Sequence, residues 1–299
     1  MKLAKRVVLF VTVNILILAT VSIVLNLLGV QPYLDARGIR YESLLIFCAV
    51  WGFGGAFVSL ALSRIMAKWM MGVKVISDQE TDPALRSLMN RVHELARKAD
   101  LKAMPEVGVY EADDLNAFAT GPTQSRSLVA VSTGLLRSMN RAEVDGVLAH
   151  EVAHIANGDM VTMTLVQGVV NTFVMFLARV ASFFASQFVA EERRSLVQFI
   201  VTIGLEIVLG ILGMIVVGAY SRAREFRADA GAARLSSREN MIAALKCLRD
   251  HQFLSPSSDP QPSLATMKIS GKKGGGLFRL FSTHPDLSER ILRLERGAY

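Results

Sequence analysis

At 299 residues the chain has room for one large domain or two small ones, and 52% of it is hydrophobic, with a mean hydropathy of +0.37. That excludes an ordinary soluble protein: apolar residues this numerous, gathered into long runs, belong to a membrane protein with a folded part outside the bilayer. The net charge of +7 comes without an aromatic-interleaved basic patch, so it points to loops held on the cytoplasmic side of a membrane and not to nucleic acid.

Lys2, Lys5 and Arg6 precede an apolar run from Val7 to Val30, too long for a cleaved signal peptide and without a small-residue cleavage site. Residues 1–30 therefore read as a transmembrane anchor with a cytoplasmic N-terminus. After an external loop over 31–42, residues 43–62 form a second span, to which Gly52, Gly54, Gly55 and Ala56 give a small-residue face for helix packing. Arg64, Lys68 and Lys74 then return the chain to the cytoplasm.

Residues 63–160 read as an α+β region. Asp82-Pro83 opens a helix with the apolar stripe Leu85, Leu88, Met89, Val92 and Leu95, and His93 beside it reads as a packed surface histidine. Strands are expected over Val107–Tyr110, Asn116–Thr120 and Leu128–Ser132. Asn140 and Glu143 resemble a capping pair that starts a further helix, Asn157-Gly158 ends it, and Asp159 is placed to cap the next.

Residues 161–220 read as a hairpin of two more apolar helices, joined by Glu191–Arg194. Arg179 and Glu206 lie about equally far from a bend at the centre of that joint. A charge in hydrocarbon costs at least ~2.5 kcal/mol on insertion scales, so the two are expected to pair. Residues 221–299 hold a helix over Asn240–His251, a flexible stretch over 255–276, Thr283-His284-Pro285, and a last helix from Asp286 to about Arg296. Cys48 and Cys247 lack CxxC spacing and read as packing residues.

The chemistry centres on His150-Glu151-Val152-Ala153-His154, an H-E-x-x-H sequence. On a helix this spacing puts both imidazoles on one face, where they can share a metal, and leaves Glu151 beside them as a base toward the attacking water. A catalytic zinc takes three protein ligands and keeps one position open. A third histidine in the H-E-x-x-H-x-x-G-x-x-H pattern is excluded, because Asn157 and Met160 occupy those places. A glutamate on a later helix remains, and Glu225 fits best. Asp229, four residues on, shares its helical face and could accept the free N–H of a ligand histidine. The bland reading of Glu225 is a salt bridge within an arginine-rich helix.

These motifs, with the strand Asn116-Ala117-Phe118-Ala119, the terminal Thr-His-Pro and two N-terminal spans, resemble the HtpX-type membrane zinc endopeptidases, relatives of the CAAX prenyl proteases. The resemblance implies a membrane α+β protein: a gluzincin-like zinc metalloprotease domain with up to four transmembrane helices. It implies one zinc per chain on His150, His154 and Glu225, Asp229 behind them, and Glu151 and His284 as catalytic groups. His284 would donate to the oxyanion, although a histidine before proline is equally a plain loop end. Asn116, Ala117, Phe118 and Ala119 would form a substrate-binding edge strand; Arg290 is similar to a family arginine but reads as a structural ion pair and not as a catalytic group. The implied setting is the bacterial inner membrane, with the active site facing the cytoplasm and polypeptides, membrane proteins among them, as substrates in quality control. Two alternatives stay open: a CAAX-type prenyl-protein endoprotease, for which four spans are few, and a non-catalytic scaffold or holdase with a zinc site.

Overall fold

The computed structural model describes residues 34–35, 38–254 and 280–297, together with Ile23 and Leu27. All of the first expected span except Ile23 and Leu27, and the flexible stretch expected over 255–276, lie outside the described residues. Two compact units emerge, one from the chain up to Ser59 and Met163–Val217, the other from Leu60–Thr162 and the chain from Gly218 onward.

In the first unit, β1 (Leu34–Asp35) and β2 (Gly38–Ile39) form an antiparallel pair inside the expected external loop. Among the described residues three helices are long and apolar enough to cross a membrane: α1 (Tyr41–Met71), α5 (Asp159–Ser186) and α6 (Glu191–Leu235). The small-residue face of α1 is used for packing, since a side chain added at Gly52 would meet Thr172 and the carbonyl of Gly168 on α5. Arg179 Nη1 lies 2.5 Å from Glu206 Oε1, so the expected pair forms. The bend is not where the charges suggested. Glu191 and Glu192 sit in the first turn of α6, where carboxylates favour the positive end of the helix dipole, and the loop precedes them. The pair is therefore made across helices of unequal reach, seven residues from the end of α5 and fifteen from the start of α6.

The second unit is a four-stranded sheet with helices on it. Its strands β3 (Lys74–Val75), β4 (Glu106–Tyr110), β5 (Ala117–Thr120) and β6 (Leu128–Ser132) run in the order β3-β4-β6-β5, antiparallel except for β4 beside β6. Every residue of β6 is buried, and the period of two divides them. Val129 and Val131 face a core shared with the helices, while Leu128 and Ala130 pack with Ala67, Val73, Tyr110 and Phe118 on the other side. Helix α2 (Pro83–Lys98) starts as expected, with Asp82 accepting from the N–H of Ala84, and it buries Leu88, Met89, Val92 and Leu95. His93 is a packing residue, its Nε2 3.2 Å from the carbonyl of Pro105. The short α3 (Thr133–Ser138) leads into α4 (Arg141–Ala156), which opens on a complete Asn140–Glu143 capping box. Helices α7 (Arg238–Leu254) and α8 (Leu287–Glu295) finish the layer, with α4 packed most extensively on α7.

One element departs from expectation in length. A helix ending near Ala219 and a separate piece after Ser221 are instead the single α6 of 45 residues, about 68 Å long. No proline interrupts Ala219–Leu235, Ala and Arg make up most of the stretch, and its single glycine, Gly231, costs only about 1 kcal/mol, so nothing in the residues stops the helix.

Candidate active site

Helix α4 places His150, Glu151 and His154 in the core of the second unit, with 2%, 4% and 8% of their surfaces exposed. Helix α6 brings Glu225 against them, fully buried. The close approach of the two helices rests on Gly231, where a Cβ would stand 2.7 Å from the Cβ of Ala153. His150 Nε2 and His154 Nε2 are 3.1 Å apart, and each lies 3.3 Å from a carboxylate oxygen of Glu225. The two histidines meet different oxygens of the carboxylate, and ligands on a tetrahedral zinc at about 2.0–2.1 Å stand about 3.3 Å from one another, so the spacings are those of groups able to converge on one such ion. The donor set, two imidazoles and a carboxylate, suits zinc.

Charge accounts for the state of each group. Burial pushes Glu225 up, but the imidazoles of His284, His154 and His150 hold it well below the usual carboxylate range. Burial pulls His150 down, yet hydrogen bonds to Asp229 and Glu225 lift it above its ordinary value. His154 is likewise pulled down by burial and then lifted to about 9, chiefly by the Glu225 charge and the Asp159 contact. Glu151 is raised, because burial and the Glu225 charge outweigh the imidazoles and a backbone hydrogen bond from Ala119. A carboxyl group raised by burial binds protons more readily near neutral pH, which suits a group that takes and returns one.

Around this core the other expected residues fall into place. Asp229 Oδ1 is 3.0 Å from His150 Nδ1, and Arg290 grips the same carboxylate with Nε at 2.8 Å and Nη2 at 2.6 Å. Arg290 is wholly buried, and the negative charge of Asp229 raises its pKa against the burial that would lower it. The structural ion pair expected of Arg290 is therefore present, and it stands directly behind a candidate ligand. His284 Nδ1 lies 2.9 Å from Glu225 Oε2 but out of line for a hydrogen bond. The segment carrying it is tied to α6 by Arg222, whose Nη1 donates to the carbonyls of Leu280 and Ser282.

Strand β5 is an edge of the sheet among the described residues. The carbonyl of Asn116 accepts from the N–H of Ser132, so the alternation of an antiparallel ladder turns the backbone groups of Ala117 and Ala119 to the open side. The side chains of Asn116 and Phe118 are buried, Asn116 donating to the hydroxyl of Tyr110 and Phe118 packing on its ring. What this stretch presents is its backbone, beside Glu151. Sequence reasoning missed Asp159 as a member of the group: its Oδ2 is 2.6 Å from His154 Nδ1, where a helix cap was expected. The signal was its place just past an Asn-Gly turn that closes the histidine helix.

A metal-sized His-His-Glu face with a buried glutamate next to it, and a strand edge open alongside, defines a metallopeptidase, here on a chain with membrane-length helices. Comparison with known proteins agrees. The model of peptidase family M48 matches residues 84–298. The chain is 53% identical to the protease HtpX homolog of Bacillus subtilis (strain 168) over 98% of this chain and 99% of that one. It is 50% identical to the protease HtpX of Thioalkalivibrio sulfidiphilus (strain HL-EbGR7) over 97% and 98%. In fold it is similar to the crystal structure of S. mikatae Ste24p, with a TM-score of 0.66 at 18% identity, covering 98% of this chain and 64% of that one. The chain belongs to peptidase family M48, and the HtpX-type resemblance read from its motifs holds along nearly its whole length.

Proposed function

We propose that the protein is a membrane-integrated, zinc-dependent endopeptidase that cuts extended segments of misfolded or damaged membrane proteins. One zinc per chain would be held by His150, His154 and Glu225. The observation that carries this reading is the convergence of His150 Nε2, His154 Nε2 and the Glu225 carboxylate, at 3.1–3.3 Å contacts, with Glu151 buried beside them. When bound, zinc supplies a Lewis acid that lowers the pKa of water and polarises the scissile carbonyl. Glu151 takes the proton of the attacking water and later delivers it to the leaving amine. The open edge of β5 pairs with the substrate backbone, which gives affinity with little sequence selectivity. His284 donates to the oxyanion, and Asp229, backed by Arg290, keeps the ring of His150 oriented.

Residues 63–160 and 221–299 serve as two halves of the catalytic domain around the hairpin 161–220. Arg64, Lys68 and Lys74 after one span, and Arg222, Arg224 and Arg227 after another, support a cytoplasmic active site at the bacterial inner membrane. Prenyl-protein cleavage is the weaker reading, since the chain spans only 64% of the length of Ste24p.

The test is the full chain in detergent, stripped with a chelator, resupplied with zinc and given an unfolded model polypeptide. Cleavage is expected only with zinc, and Glu151→Gln should lose it while still binding metal. Proteolysis retained by Glu151→Gln would overturn the assignment.

A further inference from the structure

We infer that Asp159 is a positioning residue of the metal centre, holding the ring of His154 as Asp229 holds that of His150. This rests on the reading of His150, His154 and Glu225 as metal ligands. His154 has two ring nitrogens with different neighbours. Nδ1 meets Asp159 Oδ2 at 2.6 Å, while Nε2 stands 3.1 Å from His150 Nε2 and 3.3 Å from Glu225 Oε1. A carboxylate on Nδ1 keeps the hydrogen there and leaves the Nε2 lone pair for the metal, which fixes both tautomer and ring angle. Asp159 is only 1% exposed, so the contact is a built one and not a surface encounter.

The local chain explains how a residue five positions on reaches back to the ring. The N–H of Asn157 bonds to the carbonyl of Ala153 and that of Gly158 to the carbonyl of Ile155, closing α4. Gly158 then takes φ +66, a left-handed turn that suits glycine. The next helix, α5, begins at once with Asp159, which brings its carboxylate to Nδ1 of His154. A second parallel supports the assignment. Asp229 is paired with Arg290, and Asp159 Oδ1 has Arg227 Nη2 at 3.8 Å, from the same helix that carries Glu225. Each candidate ligand histidine thus stands before an aspartate, and each aspartate before an arginine. The turn between α4 and α5 belongs to the metal centre.

The experiment uses the full chain in detergent, metal-free, with zinc affinity read by competition against a chromophoric chelator. Wild type, His154→Ala, Asp159→Asn and Asp159→Ser are compared, and the unfolding temperature of each metal-free form is recorded. Serine keeps the preference for starting a helix but is too short to reach the ring. Asp159→Ser should lose roughly 10–100-fold in zinc affinity, and Asp159→Asn, which keeps an acceptor without the charge, several-fold. A role confined to starting α5 would lower the unfolding temperature and leave affinity untouched. Wild-type affinity in both Asp159 variants, with His154→Ala unable to bind, overturns this inference alone. Undiminished zinc binding by His154→Ala overturns the metal-centre reading and this inference with it.

Discussion

At the scale of single residues, the candidate site is a set of charges that burial would forbid one by one. Glu225 and Asp229 are carboxylates in the core, tolerated because imidazoles and Arg290 surround them. This has a pH consequence of opposite sign with and without metal. In the metal-free protein His154 is lifted from 6.5 to about 9, so its protonated form stabilises the fold fully below 6.5, and that contribution fades as pH rises toward 9. A metal needs the unprotonated Nε2, so zinc affinity should rise over the same interval, with protons released on binding. Thermal unfolding from pH 6 to 9 should therefore show the metal-free form losing stability while the zinc-loaded form gains on it. Parallel curves would contradict the charge balance described here. His150, Glu151 and His154 were legible from spacing alone, because period 3.6 dictates which side chains share a helix face. Asp159 was not, since its approach to His154 depends on the left-handed turn at Gly158, which no periodicity encodes.

At the scale of elements, the decisive contact is between α4 and α6. Glu225 comes within 3.3 Å of both histidines because Gly231, six residues on, lets the helices touch at Ala153. Gly231→Ala should force them apart, lowering zinc affinity and destabilising the zinc-loaded protein by about 1–3 kcal/mol, as overpacking does. Chelator competition and thermal unfolding check this, and unchanged affinity would mean that the helices are spaced by other contacts. Three of the four strands of the second unit's sheet were expected within a residue of their ends, because apolar residues and turn signals mark them. The two-residue β3 was missed because so short a strand has no pattern, and the edge position of β5 exists only once β6 is placed between it and β4.

At the scale of the molecule, the chain keeps an ion pair among its apolar helices. Neutralising one partner leaves the other charge in a poor environment, whereas removing both relieves it. Glu206→Gln should therefore destabilise the protein more than the double change with Arg179→Met, with a coupling of roughly 0.5–3 kcal/mol. Additive losses, measured by unfolding in detergent, would show that the two charges do not support each other.

The residues alone determined the chemistry and the order of parts: spans of membrane length, a helix with two histidines on one face, a later glutamate and aspartate four apart. Those follow from local periods and from the bilayer's thickness, which act on neighbours in sequence. Tertiary structure decided what meets what. It set Arg290 behind Asp229, brought Gly231 against Ala153 and turned Asp159 onto His154. The first two join segments far apart in sequence, and the third follows from the left-handed turn at Gly158, so none is settled by a helix or strand period.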